Sequence, residues 1–296
     1  MSWRLIGLLL GCALLGAACS DAPDEPSDSN GDQQFLEDTA AAHQDDTPQP
    51  SPAVSVPPAR PVLGTELAYG EGADRNLIGY VAMPEDAAAP LPSIIVIHEW
   101  WGLNDNIRAM AERLAAEGYI ALAIDLYGGR VAETPAEAQE LMQAMYAEPA
   151  AIEANLRQAH EYLTQYAFSP RVAVMGWCLG GGVSLSAGLW MPDDLDAVVM
   201  YYGRVIDDEV QLGGLAMPLL GLFGAEDTAI KVADVQRFRN ILNRLGKDAT
   251  VQIFPNVGHA FANPTGVNFN AVAADAAWAK TLEFLARTLK DDSEAQ

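Results

Sequence analysis

The stretch Val172-Ala-Val-Met-Gly-Trp-Cys178-Leu-Gly-Gly-Gly182 decides the fold of this chain. An apolar run is followed by Gly-Trp-Cys-Leu-Gly and then by a glycine-rich segment of helical character. This pattern is typical of a nucleophile elbow, a sharp turn from strand to helix in which small residues let the backbone double back. Cysteine stands where serine is usual. The helix N-terminus would favour its thiolate and stabilise an oxyanion formed by attack on a carbonyl.

Two further residues follow in the order that this chemistry requires. Asp227 comes directly after the apolar run 218–223, and His259 comes after the run 250–254. A lone cysteine is most often a small buried hydrophobe, so the elbow by itself is a weak signal. Nucleophile, acid and histidine nevertheless each stand at the end of a predicted strand, in the chain order of an α/β-hydrolase. The three positions together predict a Cys178, His259 and Asp227 triad.

The N-terminus has the pattern of a signal peptide. Arg4 precedes the apolar stretch 5–14, and small residues then lead directly into Cys19. The stretch is too short to be interpreted first as a transmembrane helix. It resembles the lipobox of bacterial lipoproteins, which implies removal of residues 1–18 and lipidation of Cys19; an ordinary secretory signal is the alternative. We therefore expect an extracytoplasmic protein anchored by lipid to the bacterial envelope and facing the periplasm, with Ser20 favouring the outer membrane.

The segment after the signal has a different composition. Residues 19–60 are rich in Asp, Glu, Gln, Ser and Pro, with nine acidic residues and one basic residue from Ser20 to Arg60. Such a segment cannot bury enough apolar surface to offset its ordering entropy. It predicts a disordered tether, and a short amphipathic element around residues 35–42 is the alternative. The net charge of the whole chain, −23, argues against nucleic acid as a partner.

Residues 61–290 are predicted to form one domain, followed by a polar tail at 291–296. Strands are predicted at 77–83, 93–98, 119–125, 172–175, 197–201, 219–223 and 250–254. Helices are predicted at 106–117, 135–147, 150–166, from 181 onward, 232–245 and 270–289. This alternation predicts a mostly parallel, doubly wound sheet flanked by helices, the architecture of the α/β-hydrolase fold.

The segment His98-Glu-Trp-Trp-Gly102 stands at the end of the strand 93–98. Ligands bind at the carboxyl edge of open α/β sheets, and hydrolases place the second oxyanion-hole N–H there. We therefore assign the backbone N–H groups of Trp100 and Leu179 to the oxyanion hole. The rings of Trp100 and Trp101 are predicted to form pocket walls, with core packing as the alternative. His98 is interpreted as a buried, hydrogen-bonded histidine rather than a second base.

Several segments together make the domain resemble the dienelactone hydrolase family over residues 61–290. The matching segments are His98-Glu-Trp-Trp-Gly102, Asp125-Leu-Tyr-Gly-Gly-Arg130, Gly176-Trp-Cys-Leu-Gly-Gly181, Tyr201-Tyr-Gly203, Gly224-Ala-Glu-Asp227 and Gly258-His-Ala-Phe261. The resemblance implies a Cys-His-Asp triad and a glutamate, Glu99, that contacts the resting thiol and helps to deprotonate it. A purely structural carboxylate is the alternative for Glu99.

The resemblance also bears on the substrate. It implies that Arg130 binds a substrate carboxylate, with a surface salt bridge as the alternative. The matching segments place Trp101, Tyr127, Tyr202 and Phe261 among the substrate-binding residues. In the characterised lactone hydrolases an arginine that follows the histidine closely also grips that carboxylate. Here Asn263 stands in its place. This departure disfavours dienelactone itself as the substrate and favours a more general ester, lactone or thioester.

The sequence thus predicts a hydrolase that cleaves an ester or lactone through a thioester on Cys178. A general carboxylesterase or thioesterase and a lipid-anchored binding module on a hydrolase fold are the alternatives. A glutamine amidotransferase is disfavoured because Phe261 occupies the position of the acid that normally follows its histidine. A redox protein is disfavoured because Cys12 leaves with the signal and Cys19 would hold lipid, so no resolving cysteine remains.

We predict no cofactor, because the sequence has no phosphate-binding glycine motif. The four histidines are dispersed without ligand spacing, so no metal site is predicted either. The expected partners are a small ester or lactone substrate and a membrane, the latter through the lipid anchor, and the expected oligomeric state is a monomer.

Overall fold

A computed structural model describes residues 29–44, 48, 57–73, 75–88 and 90–290 of the chain. Eight strands form one sheet in the order β1-β2-β4-β3-β5-β6-β7-β8. Their bounds are β1 Val62–Glu71, β2 Asn76–Pro84, β3 Ser93–Ile97, β4 Ile120–Ile124, β5 Val172–Trp177, β6 Ala197–Tyr201, β7 Leu219–Gly224 and β8 Ala249–Phe254. Strands β3 to β8 are parallel, while β2 runs antiparallel to both β1 and β4.

Helices cover both faces of the sheet. Their bounds are α1 Ser29–Ala42, α2 Asp105–Ala116, α3 Pro135–Tyr146, α4 Pro149–Gln165, α5 Leu179–Trp190, α6 Glu209–Gly213, α7 Val232–Arg244 and α8 Ala271–Leu289. The predicted doubly wound, mostly parallel sheet is confirmed. Strand β1 was not predicted, because it lies at the edge of the sheet and leaves most of its side chains in water, so it has little apolar alternation.

The core lies on both faces of the central strands. Every residue of β3 is buried, and its side chains alternate between two hydrophobic clusters. Ile95 and Ile97 belong to the cluster on one face, and Ile94 and Val96 belong to the cluster on the other face. Burial on both faces explains why the strand is a continuous apolar run rather than an alternating one.

Helix α1 lies within the segment that was predicted to be a disordered tether, and for residues 29–42 that prediction does not hold. The helix packs its buried face onto the domain: Phe35, Thr39 and His43 recur every four residues and are at most 9% exposed. The Phe35 ring lies edge-on to Tyr146, with ring centroids 6.1 Å apart, and the Arg204 guanidinium lies 5.2 Å from the Phe35 centroid. A single helical stripe of this kind provides enough contact to order a short helix on an existing surface.

The predicted site residues converge because parallel strands end at the same edge of a sheet. Cys178 follows β5, Asp227 lies in the loop after β7, and His259 lies in the loop after β8. The segment that begins at His98 follows β3. The fold therefore brings residues far apart in sequence to one edge of the sheet.

Helix α5 approaches the sheet so closely that glycine is required at its contact points. A Cβ atom at Gly180 would lie 2.6 Å from the carbonyl oxygen of His98 and would also collide with that of Ile97. A Cβ at Gly176 would lie 2.8 Å from the Cα of Gly180. Backbone atoms cannot rotate away as side chains do, so these two glycines set the distance between α5 and the strands.

We expect Gly180→Ala to lower the free energy of unfolding by at least about 2 kcal/mol, since overpacking against backbone forces the helix and strand apart. Urea denaturation followed by circular dichroism measures this change. The matched control is Gly213→Ala in α6, where an added Cβ meets nothing within 4 Å. That control should change stability by less than about 0.5 kcal/mol. Equal effects of the two substitutions would contradict the close-packing account.

Candidate active site

The backbone at Cys178 has the geometry of a nucleophile elbow. The residue adopts φ 52° and ψ −116°, in a region that L-residues rarely occupy, and it precedes the first residue of α5. Its N–H donates a hydrogen bond to the carbonyl oxygen of Tyr201, 3.0 Å away, which ties the turn to β6. A non-glycine residue with this backbone conformation is strained by about 1–3 kcal/mol, and such strain concentrates at functional sites. The turn places the thiol at the N-terminal end of α5.

The thiol, an imidazole and a carboxylate form a continuous chain of contacts. The Nε2 atom of His259 lies 3.2 Å from the Sγ atom of Cys178, and its Nδ1 atom lies 2.8 Å from Oδ2 of Asp227. The other carboxylate oxygen of Asp227 accepts hydrogen bonds from the N–H groups of Ala229 and Ile230, at 2.9 and 2.8 Å. The carboxylate is thereby fixed, and it holds the proton of His259 on Nδ1 so that Nε2 faces the sulfur.

Electrostatics in this chain favour separated charges. Burial opposes ionisation of the Cys178 thiol, but the charge and hydrogen bond of His259, with a smaller contribution from His43, lower its pKa to about 6. Burial also disfavours the imidazolium of His259, yet Asp227 and the thiolate raise the pKa of that imidazole well above its ordinary value. Each charged form stabilises the other. The resting pair is therefore a thiolate beside an imidazolium at neutral pH.

The two residues assigned to the oxyanion hole lie on either side of this site. Leu179 is the first residue of α5, so its N–H belongs to the first turn and has no acceptor within the helix. Trp100 lies in the loop directly after β3. Both tryptophan rings are buried and their centroids lie 4.8 Å apart, so the rings pack in the core as well as next to the site.

Glu99 is buried and its carboxylate is held on both oxygens. The side-chain amide of Asn263 donates to Oε2 at 2.6 Å, and the hydroxyl of Tyr202 donates to Oε1 at 3.4 Å. The Asn263 carbonyl oxygen accepts from the N–H and hydroxyl of Thr265, which fixes the orientation of the amide. The asparagine that departs from the family pattern is therefore a neutral hydrogen-bond partner of Glu99.

His98 is a buried histidine with both ring nitrogens occupied, as predicted. Its Nε2 atom accepts a hydrogen bond from the N–H of Leu126 at 3.1 Å, so the proton lies on Nδ1, which donates to the carbonyl oxygen of Glu99 at 2.6 Å. Complete burial lowers the pKa of the imidazole. The neutral ring links the loop after β3 to the loop after β4.

Aromatic side chains surround the imidazole of His259. The Tyr202 ring lies 5.2 Å from it, and Phe261 packs behind Tyr202 at 5.4 Å between centroids. Two buried donors, Nε1 of Trp100 and the hydroxyl of Tyr127, find no hydrogen-bond partner within the described part of the chain. The Tyr127 hydroxyl is buried and lies close enough to Cys178 for the thiolate to help raise its pKa. The walls of the site thus combine apolar rings with unpaired donors.

Arg130 lies away from this buried cluster. Its side chain is 56% exposed, and its guanidinium lies 3.7 Å from the carboxylate of Glu140. Arg130 therefore forms a surface ion pair, which is the alternative to the predicted binding of a substrate carboxylate.

One residue of the site was not predicted from the sequence. His43, one residue beyond the end of α1, is 3% exposed, and its Nε2 atom lies 3.6 Å from the Sγ of Cys178. Its ring lies on the ring of Trp100, with centroids 4.6 Å apart and planes inclined by 30°. The available signal was the amphipathic element around residues 35–42, whose buried face continues to position 43. With His43 in place, the thiol is only 2% exposed.

The dispersed histidines predicted no metal site, but folding brings two of them to the thiol. Among the described residues, the ligand atoms of His43, Cys178 and His259 all lie within 4.8 Å of one another, and all three residues are buried. Linear spacing gives no indication of this cluster, because His43 precedes the predicted domain at 61–290 whereas His259 lies near the C-terminal end of that domain.

The signal peptide at 1–18, the lipidation site Cys19 and the tail at 291–296 lie outside the described residues. They stay predictions, which mass spectrometry of the mature N-terminus would test. In the part of the chain that the structure covers, we find no helix with the length and apolar character needed to cross a bilayer.

Comparison with known proteins identifies the family and agrees with the fold. The sequence profile described as the dienelactone hydrolase family matches residues 77–289. A Saccharolobus solfataricus protein named "Putative carboxymethylenebutenolidase" is 31% identical over 248 residues, covering 71% of this chain and 94% of that protein. "Protein usf" of Aquifex pyrophilus is 30% identical over 213 residues, covering 70% of this chain and 91% of that protein.

A solved structure shows the same architecture. The crystal structure of a "Putative Dienelactone Hydrolase" from Klebsiella pneumoniae subsp. pneumoniae superposes with a TM-score of 0.69 at 26% identity. The superposition covers 77% of this chain and all of the other chain. Helix α1 and His43 precede the region matched by the family profile.

We expect alkylation of Cys178 to follow a titration centred near pH 6, because the lowered pKa means that thiolate is present above that pH and is lost below it. An ordinary thiol would titrate near about 8.5. Replacing His259 by Gln removes the neighbouring cation and should move the midpoint to higher pH. The measurement is the rate of iodoacetamide labelling of Cys178, read by mass spectrometry as a function of pH.

The same assay includes two comparison variants. His160→Gln, in α4, changes a half-buried histidine that bonds the carbonyl oxygen of Asp194, and it should leave the midpoint unchanged. Glu99→Gln should alter the profile when a substrate analogue is bound, if the carboxylate helps to activate the thiol. An unchanged Glu99→Gln profile with and without the analogue would assign Glu99 a structural role. A His259→Gln midpoint equal to that of the unmodified chain would contradict the ion-pair account.

Proposed function

The chain belongs to the dienelactone hydrolase family and is a hydrolase with the α/β-hydrolase fold, and we propose that it cleaves carboxylic esters or lactones through a thioester on Cys178. One observation supports this proposal above all others. Cys178, His259 and Asp227 form a buried chain with contacts of 3.2 and 2.8 Å, on an elbow that points the sulfur towards the carboxyl edge of the sheet. A nucleophile, its base and an orienting carboxylate are the minimum that acyl transfer requires.

In the first half-reaction the thiolate attacks the substrate carbonyl carbon, and the carbonyl π electrons move to oxygen. The N–H groups of Leu179 and Trp100 are proposed to donate to that oxyanion; loss of one such donor typically costs about 10²–10³ in rate. Collapse of the tetrahedral intermediate re-forms the carbonyl and breaks the bond to the leaving oxygen. The imidazolium of His259 supplies the proton to that oxygen, and a thioester remains.

In the second half-reaction the neutral imidazole of His259 takes a proton from water. The resulting hydroxide adds to the thioester carbonyl, and collapse expels the thiolate and releases the acid. In a lactone the leaving oxygen stays attached to the acyl group, so its enolate or alcohol end can help to discharge the thioester. Asp227 holds the imidazole in the tautomer that both half-reactions need.

The proposed substrate is neutral around its reacting carbonyl. Asn263 provides no positive charge, and the carboxylate of Glu99 beside it disfavours an anion in that part of the site. The unpaired donors of Trp100 and Tyr127 are suited to an uncharged oxygen, and the rings of Tyr202 and Phe261 offer an apolar surface. These features favour an ester or lactone without a carboxylate near the scissile bond.

A role for Glu99 in activating the thiol belongs to the same proposal. Its bonds to Asn263 and Tyr202 hold a carboxylate in the loop that also provides the Trp100 N–H. The activating role of Glu99 is inferred from the family resemblance. The geometry supports a second role, in which the bonded carboxylate positions the oxyanion-hole loop.

Replacing Cys178 by Ala is expected to abolish the burst of nitrophenol from 4-nitrophenyl acetate and to lower turnover more than about 10³-fold, because the nucleophile acts as a unit with its base. Stopped-flow absorbance measures the burst, and mass spectrometry of the quenched enzyme detects the acylated cysteine. Ser186→Ala, on the same helix, is the matched control and should retain the burst. No thioester and no turnover across a panel of esters and lactones would favour the binding-module alternative.

We expect Arg130→Gln to change kcat/KM by less than about fivefold, and equally for neutral and carboxylated substrates, because an exposed ion pair with Glu140 is worth at most about 1 kcal/mol. Steady-state kinetics with an aryl ester and with a dienelactone, which has a carboxylate, make the comparison. A loss of more than about tenfold confined to the dienelactone would instead assign Arg130 to carboxylate binding.

A further inference from the structure

His43 adds a third soft ligand to the catalytic pair. Its Nε2 atom lies 3.6 Å from the Sγ of Cys178, and Nε2 of His259 lies 3.2 Å from the same sulfur. In a tetrahedral zinc site, metal–sulfur bonds of about 2.3 Å and metal–nitrogen bonds of about 2.0–2.1 Å place sulfur and nitrogen about 3.5 Å apart. The two observed distances lie on either side of that value. Both sulfur–nitrogen distances therefore suit one shared ion, and the two nitrogen ligand atoms lie within 4.8 Å of each other.

The surroundings of the cluster match what a metal ligand set requires. The Nδ1 atom of His259 bonds the carboxylate of Asp227, the arrangement that commonly orients a metal-binding histidine. The His43 ring is held against Trp100 and lies edge-on to His259, with centroids 5.1 Å apart in the second case. All three ligand residues are buried, so protein atoms would replace most of the hydration shell of an ion bound there. Both imidazoles thus have restricted orientations.

The helix that precedes His43 is itself fixed on the domain. Phe35 packs on Tyr146, and the carboxylate of Asp38 lies 3.8 Å from the ammonium of Lys231. These contacts bring His43 to the sulfur without any ion. The imidazole of His43 has no role in the hydrolytic steps proposed above, which need only one base.

We propose that Cys178, His259 and His43 form a three-ligand site for a thiophilic divalent cation of the Zn²⁺ class, with water as the fourth ligand. Binding leaves the oxidation state of every group unchanged: the sulfur donates its lone pair as thiolate, and any proton it or the imidazoles hold is released to solvent. The ion would occupy both the nucleophile and its base, so it would stop hydrolysis. It would also tie α1 to the catalytic domain through His43.

The inhibition rests on the proposed hydrolase function, whereas the binding does not. His43 is the decisive residue, since a cysteine and one histidine supply only two protein ligands. The test therefore compares the full chain with His43→Gln, and with His160→Gln as a matched control on a half-buried histidine of α4. Thermal unfolding by circular dichroism checks that each variant is folded.

Binding is measured without substrate, by titrating Zn²⁺ against a chromophoric chelator and by recording Co²⁺ absorption spectra. We expect one ion per chain and a thiolate-to-Co²⁺ charge-transfer band in the unmodified chain and in His160→Gln. His43→Gln should bind Zn²⁺ at least about tenfold more weakly, because loss of even an outer-shell partner of a metal ligand typically costs that much affinity. Cys178→Ala should lose the charge-transfer band. Equal affinity of His43→Gln and the unmodified chain, or tetrahedral Co²⁺ binding without a thiolate band, would overturn the proposal.

An ester assay then separates the two proposals. If the chain hydrolyses esters, Zn²⁺ should inhibit the unmodified chain at concentrations at least about tenfold lower than those that inhibit His43→Gln. If the chain binds the ion as described but hydrolyses no ester or lactone, the proposed function fails and the metal site stands. If hydrolysis occurs and Zn²⁺ inhibits both chains equally, the assignment of His43 as a ligand is wrong.

Discussion

The close approach of α5 to β3 and β5 is the constraint on which the site depends. Gly176 and Gly180 allow backbone to meet backbone, and the turn between them can then close only with Cys178 in a left-handed conformation. Its hydrogen bond to Tyr201 and the surrounding sheet offset the strain of about 1–3 kcal/mol. The position of the sulfur is thus fixed by the packing of the core rather than by any contact of the sulfur itself.

Charge balance is the second organising feature of the site. A buried thiolate would be costly alone, but it lies against an imidazolium whose charge is in turn balanced by Asp227. Glu99, a further buried acid nearby, accepts hydrogen bonds from the neutral groups of Tyr202 and Asn263. The thiolate is therefore balanced by a neighbouring cation, while the second acid is stabilised at least in part by neutral hydrogen-bond donors.

Most of the fold and the core of the site could be predicted from the sequence, because both produce local patterns. Buried parallel strands such as β3 are continuous apolar runs, and candidate site residues follow soon after such runs end. Strand β1 could not be predicted because an exposed edge strand lacks that pattern. The role of Asn263 could not be predicted either, because its partner Glu99 lies far away in sequence.

Helix α1 was the largest surprise, and its polar composition explains why. The segment has many acidic residues and few apolar ones, so its average composition indicates disorder. Its order comes from one stripe, in which Phe35, Thr39 and His43 meet a surface that the rest of the chain has already formed. Composition averages over all sides of a helix, whereas docking depends on one side only.

The position of His43 over the sulfur also bears on the chemical lifetime of the enzyme. A thiolate with a pKa near 6 is the form that peroxides convert to sulfenic acid and then irreversibly to higher oxides. At 2% exposure the sulfur is shielded from such oxidants, and the His43 ring, whose Nε2 lies 3.6 Å from it, forms part of that shield. The residue that the elbow presents for chemistry is thus also the one that the fold must protect from irreversible oxidation.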